Sequence, residues 1–227
     1  MAANESAPVH YAMLLYPGFQ ALDAFGPLDI LNIVALEKEI KLSLIAPTMD
    51  PVSTKSPIPN THSNNSTSYQ SVVPTHTYDA PPENIDVILI PGGIGSRHET
   101  IKPTVKFLSE RFPHVRYLLT ICTGAYVAAQ SGVLDGKKAT TSKLRYDAVV
   151  AMTPKVNWVR QARWVVDGNI WTSSGVSAGM DETLAFVQEI YGRDLAVKVA
   201  TMIEYNWHED SAVDPFADSP LVKKYKY

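Results

Sequence analysis

The lone cysteine of this chain, Cys122, is the residue best suited to covalent chemistry. An apolar run typical of a buried strand, residues 117–121, precedes it, and a small-residue segment typical of a packed helix, residues 124–130, follows it. A residue between such elements lies at the carboxyl edge of a parallel sheet, where open α/β folds bind ligands. The free N–H groups and dipole of the helix are expected to favour the thiolate. Many lone cysteines are only small buried side chains, but this setting favours an active-site nucleophile.

A carboxylate, Asp23, is predicted at the same edge of the sheet. It follows the first predicted strand, residues 9–16, and apolar residues recur at helical spacing across residues 21–36. The pair Gly26-Pro27 is expected to start that helix, which places Asp23 in the preceding loop. Its carboxylate is then either a helix N-cap or a functional group beside Cys122, and the spacing leaves both interpretations open.

Glycines form a third candidate group at strand ends. Gly92 and Gly93 follow the buried strand of residues 85–90, and Gly124 begins the helix after the cysteine. Glycine lets backbone N–H groups approach a ligand closely, so these positions are predicted to bind substrate or an oxyanion. His98 is the only histidine expected near this edge, and a solvated loop residue is its default interpretation. No histidine has metal-ligand spacing with another His, Cys or carboxylate, and neither a metal nor a cofactor is predicted.

Strands and helices alternate along the chain, which predicts an α/β sandwich with a mainly parallel sheet and helices on both faces. The predicted strands are residues 9–16, 40–46, 85–90, 117–121, 138–141, 156–159, 162–166 and 170–173. The predicted helices are the first one, which starts at Gly26-Pro27 within the periodic run 21–36, and residues 101–111, 124–130, 142–152, 177–191 and 195–205. Asp167-Gly168-Asn169 indicates a hairpin with a type I′ turn. The polar segment 47–67 is expected to be a surface excursion, with a short hairpin through residues 69–73.

The whole chain, residues 1–227, is predicted to be one domain, because its length suits one α/β unit and no repeat or linker interrupts it. Residues 207–227 form a proline- and acid-rich tail that is expected to wrap the domain or a partner subunit. The net charge of −3 gives no support for nucleic-acid binding. The apolar runs are too short for a membrane span. The N-terminus lacks the basic and apolar regions of a secretory signal, so a cytoplasmic location is expected.

Five blocks together resemble the ThiJ/PfpI superfamily of class I glutamine amidotransferase-like proteins: YPGFQALDAFGPLDIL, DVILIPGG, ICTGAYVAAQSGVLDGKKATT, DGNIWTSSGVSAGMDETL and PFADSP. Within the superfamily the chain is most similar to the isonitrile hydratases, which add water to R–N≡C and give an N-substituted formamide. The resemblance implies a flavodoxin-like fold with a nucleophile elbow, and a homodimer. It also implies that Cys122 is the nucleophile, that Thr123 neighbours it, that Asp23 is the first-loop carboxylate and that Gly92 and Gly93 form the glycine turn.

Two positions depart from patterns of this superfamily. Protease-like relatives carry a histidine directly after the cysteine, where this chain has Thr123, so the usual base for hydrolysing an acyl-enzyme is missing and no peptidase activity is expected. Many hydratase-like relatives read Thr-Thr-His-Trp after the nucleophile helix, where this chain reads Thr140-Thr141-Ser142-Lys143. This departure concerns the predicted substrate pocket and leaves the subfamily open.

The function expected from these features is a cysteine-dependent hydratase or lyase that acts on a small electrophile, with isonitrile hydration as the leading reaction. Cys122 would attack, Asp23 would transfer protons and Thr123 would position a reacting atom or water. Three alternatives remain open: a glyoxalase or deglycase for reactive dicarbonyls, a redox sensor whose Cys122 becomes a sulfinate, and a non-catalytic ligand-binding module.

Overall fold

The computed structural model describes residues 6–61 and 66–225. Residues 1–5, residues 62–65 of the predicted polar excursion and residues 226–227 of the predicted tail lie outside the described residues. The strands are β1 (His10–Leu14), β2 (Lys41–Ala46), β3 (Val52–Ser53), β4 (Ser71–Val72), β5 (His76–Thr77), β6 (Val87–Ile90), β7 (Tyr117–Thr120), β8 (Lys138–Ala139), β9 (Asn157–Trp158), β10 (Trp164–Asp167) and β11 (Ile170–Ser173). The α-helices are α1 (Ala21–Val34), α2 (Lys102–Arg111), α3 (Gly124–Gln130), α4 (Tyr146–Met152), α5 (Val176–Tyr191), α6 (Arg193–Met202) and α7 (Pro220–Lys224). Short 3₁₀ helices lie at Ile94–Arg97, Glu99–Ile101 and Phe112–His114.

The centre of the fold is a seven-stranded sheet with the order β10-β11-β7-β6-β1-β2-β5. Neighbouring strands are parallel except for β10 and β11, which form an antiparallel hairpin. All four residues of β6 are buried. Because successive side chains of a strand point to opposite faces, both faces are covered at the centre of the sheet. The predicted flavodoxin-like α/β fold is confirmed.

Helix α5 is held to the sheet by aromatic packing. Its Phe186 ring meets Tyr11, Tyr117 and Trp171 edge-on, with ring centroids 6.5, 5.2 and 5.4 Å apart. Such pairs contribute about 0.5–1.5 kcal/mol each beyond the area that they bury. These contacts join β1, β7 and β11 to one helix and keep the strand ends in fixed relative positions.

Three neighbouring strands, β1, β6 and β7, end at the same edge of the sheet because they are parallel and in register. The segments that follow them therefore meet. The Gln20 N–H donates to the Gly92 carbonyl at 2.8 Å, and the Gly95 N–H donates to the Gly18 carbonyl at 3.1 Å. The loop after β6 is thus tied to the loop after β1, directly beside the turn after β7.

Two predicted helix starts are wrong, and both corrections concern this edge. Helix α1 begins at Ala21 rather than at Gly26-Pro27, so Asp23 lies in its first turn and Pro27 inside it. Helix α4 begins at Tyr146 rather than at Ser142, so residues 142–145 form a loop. In that loop the side chains of Ser142 and Lys143 bond to distant parts of the chain, Ser142 to the Cys122 thiol and Lys143 to the Ala162 carbonyl.

One predicted turn type and two predicted strand pairings also differ from the structure. In the β10–β11 turn only Gly168 has a positive φ, 65°, whereas a type I′ turn needs two such residues, so that turn type is wrong. Strand β9 pairs with β8 in a separate two-stranded parallel ribbon rather than with the hairpin. The expected hairpin in the polar excursion is present in altered form, as β4 pairs antiparallel with β3.

The tail packs against the rest of the chain through polar contacts. The Trp207 Nε1–H donates to the Asp181 carbonyl at 3.2 Å, and the Arg163 N–H donates to the Ser211 carbonyl at 2.7 Å. The tail thus lies along its own chain, which is one of the two arrangements expected from the sequence. In the described residues no helix is long and apolar enough to cross a bilayer.

Candidate active site

Cys122 occupies a sharp elbow between β7 and α3. Its φ is +57°, in the left-handed region that side chains rarely adopt. A non-glycine residue held there stores about 1–3 kcal/mol, and such strain clusters at functional sites. The elbow is fixed on both sides, since the Ile121 N–H donates to the Ile90 carbonyl at 2.9 Å and the Gly124 N–H donates to the Ile121 carbonyl at 2.8 Å. The predicted position of the cysteine between strand and helix is therefore correct.

The thiol faces polar groups from three segments. It interacts with the carboxyl of Asp23, the hydroxyl of Ser142, and both the N–H and the hydroxyl of Thr123. Cys122 also lines a pocket of about 390 Å³ and is itself partly exposed. The sulfur is thus closely surrounded on its inner side and reachable from the pocket.

The pKa of the Cys122 thiol is raised, not lowered. Burial of the sulfur is the largest cause, and the Asp23 carboxyl adds to it, while the Ser142 and Thr123 hydrogen bonds act in the opposite direction. The expectation that the N-terminus of α3 stabilises the thiolate is wrong in its net effect. Desolvation and a neighbouring carboxylate both oppose a negative sulfur, and here they outweigh the N–H groups of a seven-residue helix.

Asp23 lies directly beneath the elbow, on the first turn of α1. The N-cap interpretation is wrong, because Gln20 holds the cap position and the Asp23 Oδ2 instead accepts the Gly92 N–H at 2.9 Å. The other oxygen, Oδ1, is buried and has no nitrogen or oxygen donor among the described residues. Burial raises the pKa of Asp23 to about 7, although the hydrogen bonds from Gly92 and Cys122 act to lower it. Close to neutral pH this carboxyl can both accept and release a proton.

The three glycines predicted to bind an oxyanion do not present free N–H groups. The Gly92 N–H is used by Asp23, the Gly93 N–H donates to Thr123 Oγ1 at 3.0 Å, and the Gly124 N–H is part of the elbow. An oxyanion site made of these N–H groups is therefore contradicted, whereas substrate binding at Gly93, which lines the cysteine pocket, stays a prediction. At Gly92 and Gly124 the requirement for glycine is steric. A Cβ on Gly92 would lie 2.6 Å from the Thr123 nitrogen, and a Cβ on Gly124 would collide with the backbone of β6.

Thr123 is buried and joins the elbow to the loop after β6. Its Oγ1 accepts the Gly93 N–H at 3.0 Å and a hydrogen bond from the Ser96 hydroxyl at 3.2 Å. Its own proton can go to the Gly93 carbonyl, at 3.3 Å, or to the Cys122 sulfur. The structure therefore brings Thr123 to the thiol as expected, but its first task is to hold the glycine loop.

The loop of residues 142–145 supplies groups that the sequence did not reveal. Ser142 reaches the thiol, and the preceding residue, Thr141, donates its hydroxyl to the Cys122 carbonyl at 2.9 Å. Lys143 is buried, donates to the Ala162 carbonyl at 2.8 Å and pairs with Asp214 of the tail at 3.2 Å. Burial lowers the pKa of Lys143 to about 8. In the sequence, Ser142 and Lys143 stood out only because they depart from the Thr-Thr-His-Trp pattern. That departure did not indicate what either residue does.

A second pocket, of about 440 Å³, shares Ser142, Leu144 and Gly175 with the pocket above the cysteine. Its walls are mostly apolar and include Leu22 and Phe216. The nucleophile thus has an adjacent apolar space, closed on one side by the tail.

His98 does not line either pocket. Its Nδ1 lies 3.2 Å from the Thr100 hydroxyl and caps the following 3₁₀ helix, so it has a structural contact. Within residues 6–61 and 66–225, no group of three His, Cys, Asp or Glu side chains is arranged to hold a metal ion.

Comparisons with known proteins agree with this geometry. The profile of the DJ-1/PfpI family matches residues 10–189. Isonitrile hydratase of Pseudomonas putida is 33% identical over 195 residues, which cover 85% of this chain and 76% of that enzyme. The HTH-type transcriptional regulator GbdR of Pseudomonas aeruginosa is 29% identical over 134 residues, covering 57% of this chain and 36% of the regulator. The crystal structure of a ThiJ/PfpI family protein from Pseudomonas syringae superposes with a TM-score of 0.72 and 27% identity, covering 89% of this chain and 77% of that one.

Proposed function

The chain belongs to the DJ-1/PfpI family, and we propose that within this family it is a cysteine-dependent hydratase that converts a small isonitrile into an N-substituted formamide. The relatives include both an enzyme and a regulator, so their similarity alone leaves the reaction open. The single observation that carries the proposal is the contact between Cys122 and Asp23, a carboxyl whose pKa of about 7 suits proton transfer.

In the first proposed step, the Cys122 sulfur attacks the terminal carbon of R–N≡C and an S–C bond forms. Because the thiol pKa is raised, the sulfur must lose its proton as it attacks, and the ionised Asp23 accepts it. Asp23 then gives the same proton to the isonitrile carbon, and the product is the thioimidate R–N=CH–S. A carboxyl with a pKa near the working pH is a suitable relay, since it takes up and releases the proton at similar cost.

In the second step, water adds to the thioimidate carbon. Asp23 takes one proton from the water as the O–C bond forms, and the nitrogen receives that proton, which gives R–NH–CH(OH)–S. The C–S bond then breaks, the hydroxyl proton returns to the Cys122 sulfur, and R–NH–CHO is released. Along this route the oxygen from water keeps a proton until the C–S bond breaks, so no free oxyanion forms before that step. This agrees with the glycine N–H groups, which are hydrogen-bonded within the protein.

The experiment is turnover of a small alkyl isonitrile, with the formamide product followed by proton NMR. Cys122→Ala is expected to abolish turnover, and Asp23→Asn to lower it by about two orders of magnitude or more, the usual loss for an acid–base group. Asp86→Asn is the matched control, because Asp86 also accepts backbone N–H groups, from Val9 and His10, but lies at the amino edge of the sheet. Substantial formamide production by the Cys122→Ala protein would rule out the proposal.

The alternatives give different results in the same preparation. Cys122-dependent formation of lactate from methylglyoxal, with no formamide from isonitriles, would assign the protein to the glyoxalases. A redox sensor is less supported, because oxidation follows thiolate character and the raised pKa makes the thiolate scarce. Sulfinate at Cys122 after mild peroxide, measured by mass spectrometry, would favour it. Cleavage of casein would move the assignment to the protease branch.

We also propose that the protein is a homodimer of this chain. Large apolar side chains of α1 and of the tail stay exposed within one chain: Leu22 at 48%, Phe25 at 41% and Phe216 at 51%. Contiguous exposed apolar residues often mark a contact with another protein. Light scattering at micromolar concentration is the test, and a monomeric mass would contradict it. A cytoplasmic location also remains a prediction.

A further inference from the structure

The pocket that exposes Cys122 carries two cationic side chains. Arg97 ends the 3₁₀ helix Ile94–Arg97, and Arg145 lies at the end of the loop after β8. No aspartate or glutamate is among the residues lining this pocket, and Asp23 lies buried beneath the cysteine. The space that a substrate must enter is therefore bordered by positive charge.

The two cations that line the adjacent apolar pocket each have a buried acidic partner. Lys143 lies 3.2 Å from Asp214, and Arg163 lies 2.5 Å from Asp181. Arg97, in contrast, forms no ion pair with the part of the chain that the structure describes. Arg97, a cation without an acidic partner among the described residues, is thus on the side of the nucleophile.

A guanidinium presents a planar set of N–H donors that matches the oxygens of a carboxylate or phosphate. We propose that the electrophile attacked by Cys122 carries a carboxylate or phosphate group, which Arg97 and Arg145 bind. This inference rests on the proposed function for the reaction itself and adds the charge of the substrate.

The first test does not depend on the reaction. Iodoacetate and iodoacetamide are nearly equal in size and differ in charge, and Cys122 is the only cysteine, so intact mass reports alkylation at this atom alone. At pH 8 the ratio of the iodoacetate rate to the iodoacetamide rate is expected to be higher in the folded protein than in the same protein unfolded in urea. Arg97→Met and Arg145→Met should each lower that ratio by roughly tenfold, the effect of losing a hydrogen bond to a charged group.

Arg193→Met is the matched control, since Arg193 pairs with Glu209 on the surface near α6 and lines neither pocket. It should leave the ratio unchanged. A ratio that is the same folded and unfolded, or that does not respond to either pocket arginine, would overturn the inference. Protection of Cys122 by acetate points to a carboxylate substrate, and protection by inorganic phosphate points to a phosphorylated one.

The second test uses isocyanoacetate and its methyl ester as isonitrile substrates. Arg97→Met and Arg145→Met are expected to raise KM for the acid roughly tenfold more than KM for the ester. Equal effects on both substrates would contradict the anion site while leaving the hydratase proposal in place. Turnover of neither compound, together with the iodoacetate preference, would remove the hydratase proposal and leave the anion site.

Discussion

Replacing Asp23 by asparagine is expected to stabilise the protein at pH 8 while it removes turnover. The carboxyl is fully buried, and its pKa rises from 3.8 to about 7 on folding. At 1.36 kcal/mol for each unit of pKa, keeping this group ionised in the fold costs about 4 kcal/mol. Asparagine retains an oxygen for the Gly92 N–H and carries no charge, so the variant avoids this cost.

The sign of the pH dependence follows from where the proton is bound. Between pH 3.8 and about 7 the folded protein keeps the Asp23 proton and the unfolded chain releases it. The contribution to stability is therefore complete below pH 3.8 and is lost as pH rises to about 7. The stability difference between Asp23→Asn and wild type should grow by about 4 kcal/mol from pH 4 to pH 8.

The assay is urea unfolding of both proteins at several pH values in this range, with Asp86→Asn as the control. Glu182 is another buried carboxyl with a raised pKa, but it contributes to both proteins equally and cancels in the difference. A difference that changes by less than about 1 kcal/mol over the range would show that the pKa of Asp23 is not raised by folding, and the proton relay would lose its basis.

Three further outcomes are expected. The kcat/KM for an isonitrile should rise as pH passes about 7, because the ionised form of Asp23 accepts the thiol proton, and a profile that falls there would contradict this role. Thr123→Val removes the acceptor of the Gly93 N–H, so it should lower the free energy of unfolding by about 1–3 kcal/mol. The same variant should also reduce the turnover rate, while the rate of Cys122 alkylation by iodoacetamide stays nearly unchanged. Lys143→Met leaves Asp214 buried without its cation and should cost about 3–5 kcal/mol in urea unfolding, whereas adding Asp214→Asn should restore much of that loss.

The sequence was most informative where one local pattern decides the structure. The apolar run before Cys122 and the small residues after it predict a strand, an elbow and a helix, and β7 and α3 lie there. A buried strand is recognisable because both of its faces must be apolar. Asp23 follows β1 and Cys122 follows β7, two parallel strands separated by β6, and a position beside the cysteine was one of the two interpretations that the spacing of Asp23 left open.

The sequence was least informative where a group depends on residues far along the chain. The sequence marked Lys143 only as a departure from the Thr-Thr-His-Trp pattern. Its burial depends on Asp214, seventy-one positions later. The same holds for the glycine turn, since whether the N–H of Gly93 is free depends on the Thr123 hydroxyl. Local spacing contains no information on such partners.

For Cys122, a correct local argument predicted the wrong direction of the pKa shift. Helix N–H groups do favour a thiolate, but the turn that brings the sulfur to those groups also buries it beside Asp23. A sulfur held as a thiol is protected from oxidation between turnovers, and it becomes a nucleophile when Asp23 takes its proton. Such a pair suits addition of S–H across an electrophilic carbon, where the proton removed from sulfur is the proton that the substrate needs. It suits peptide hydrolysis poorly, since that reaction requires an oxyanion site, and the glycine N–H groups here are engaged.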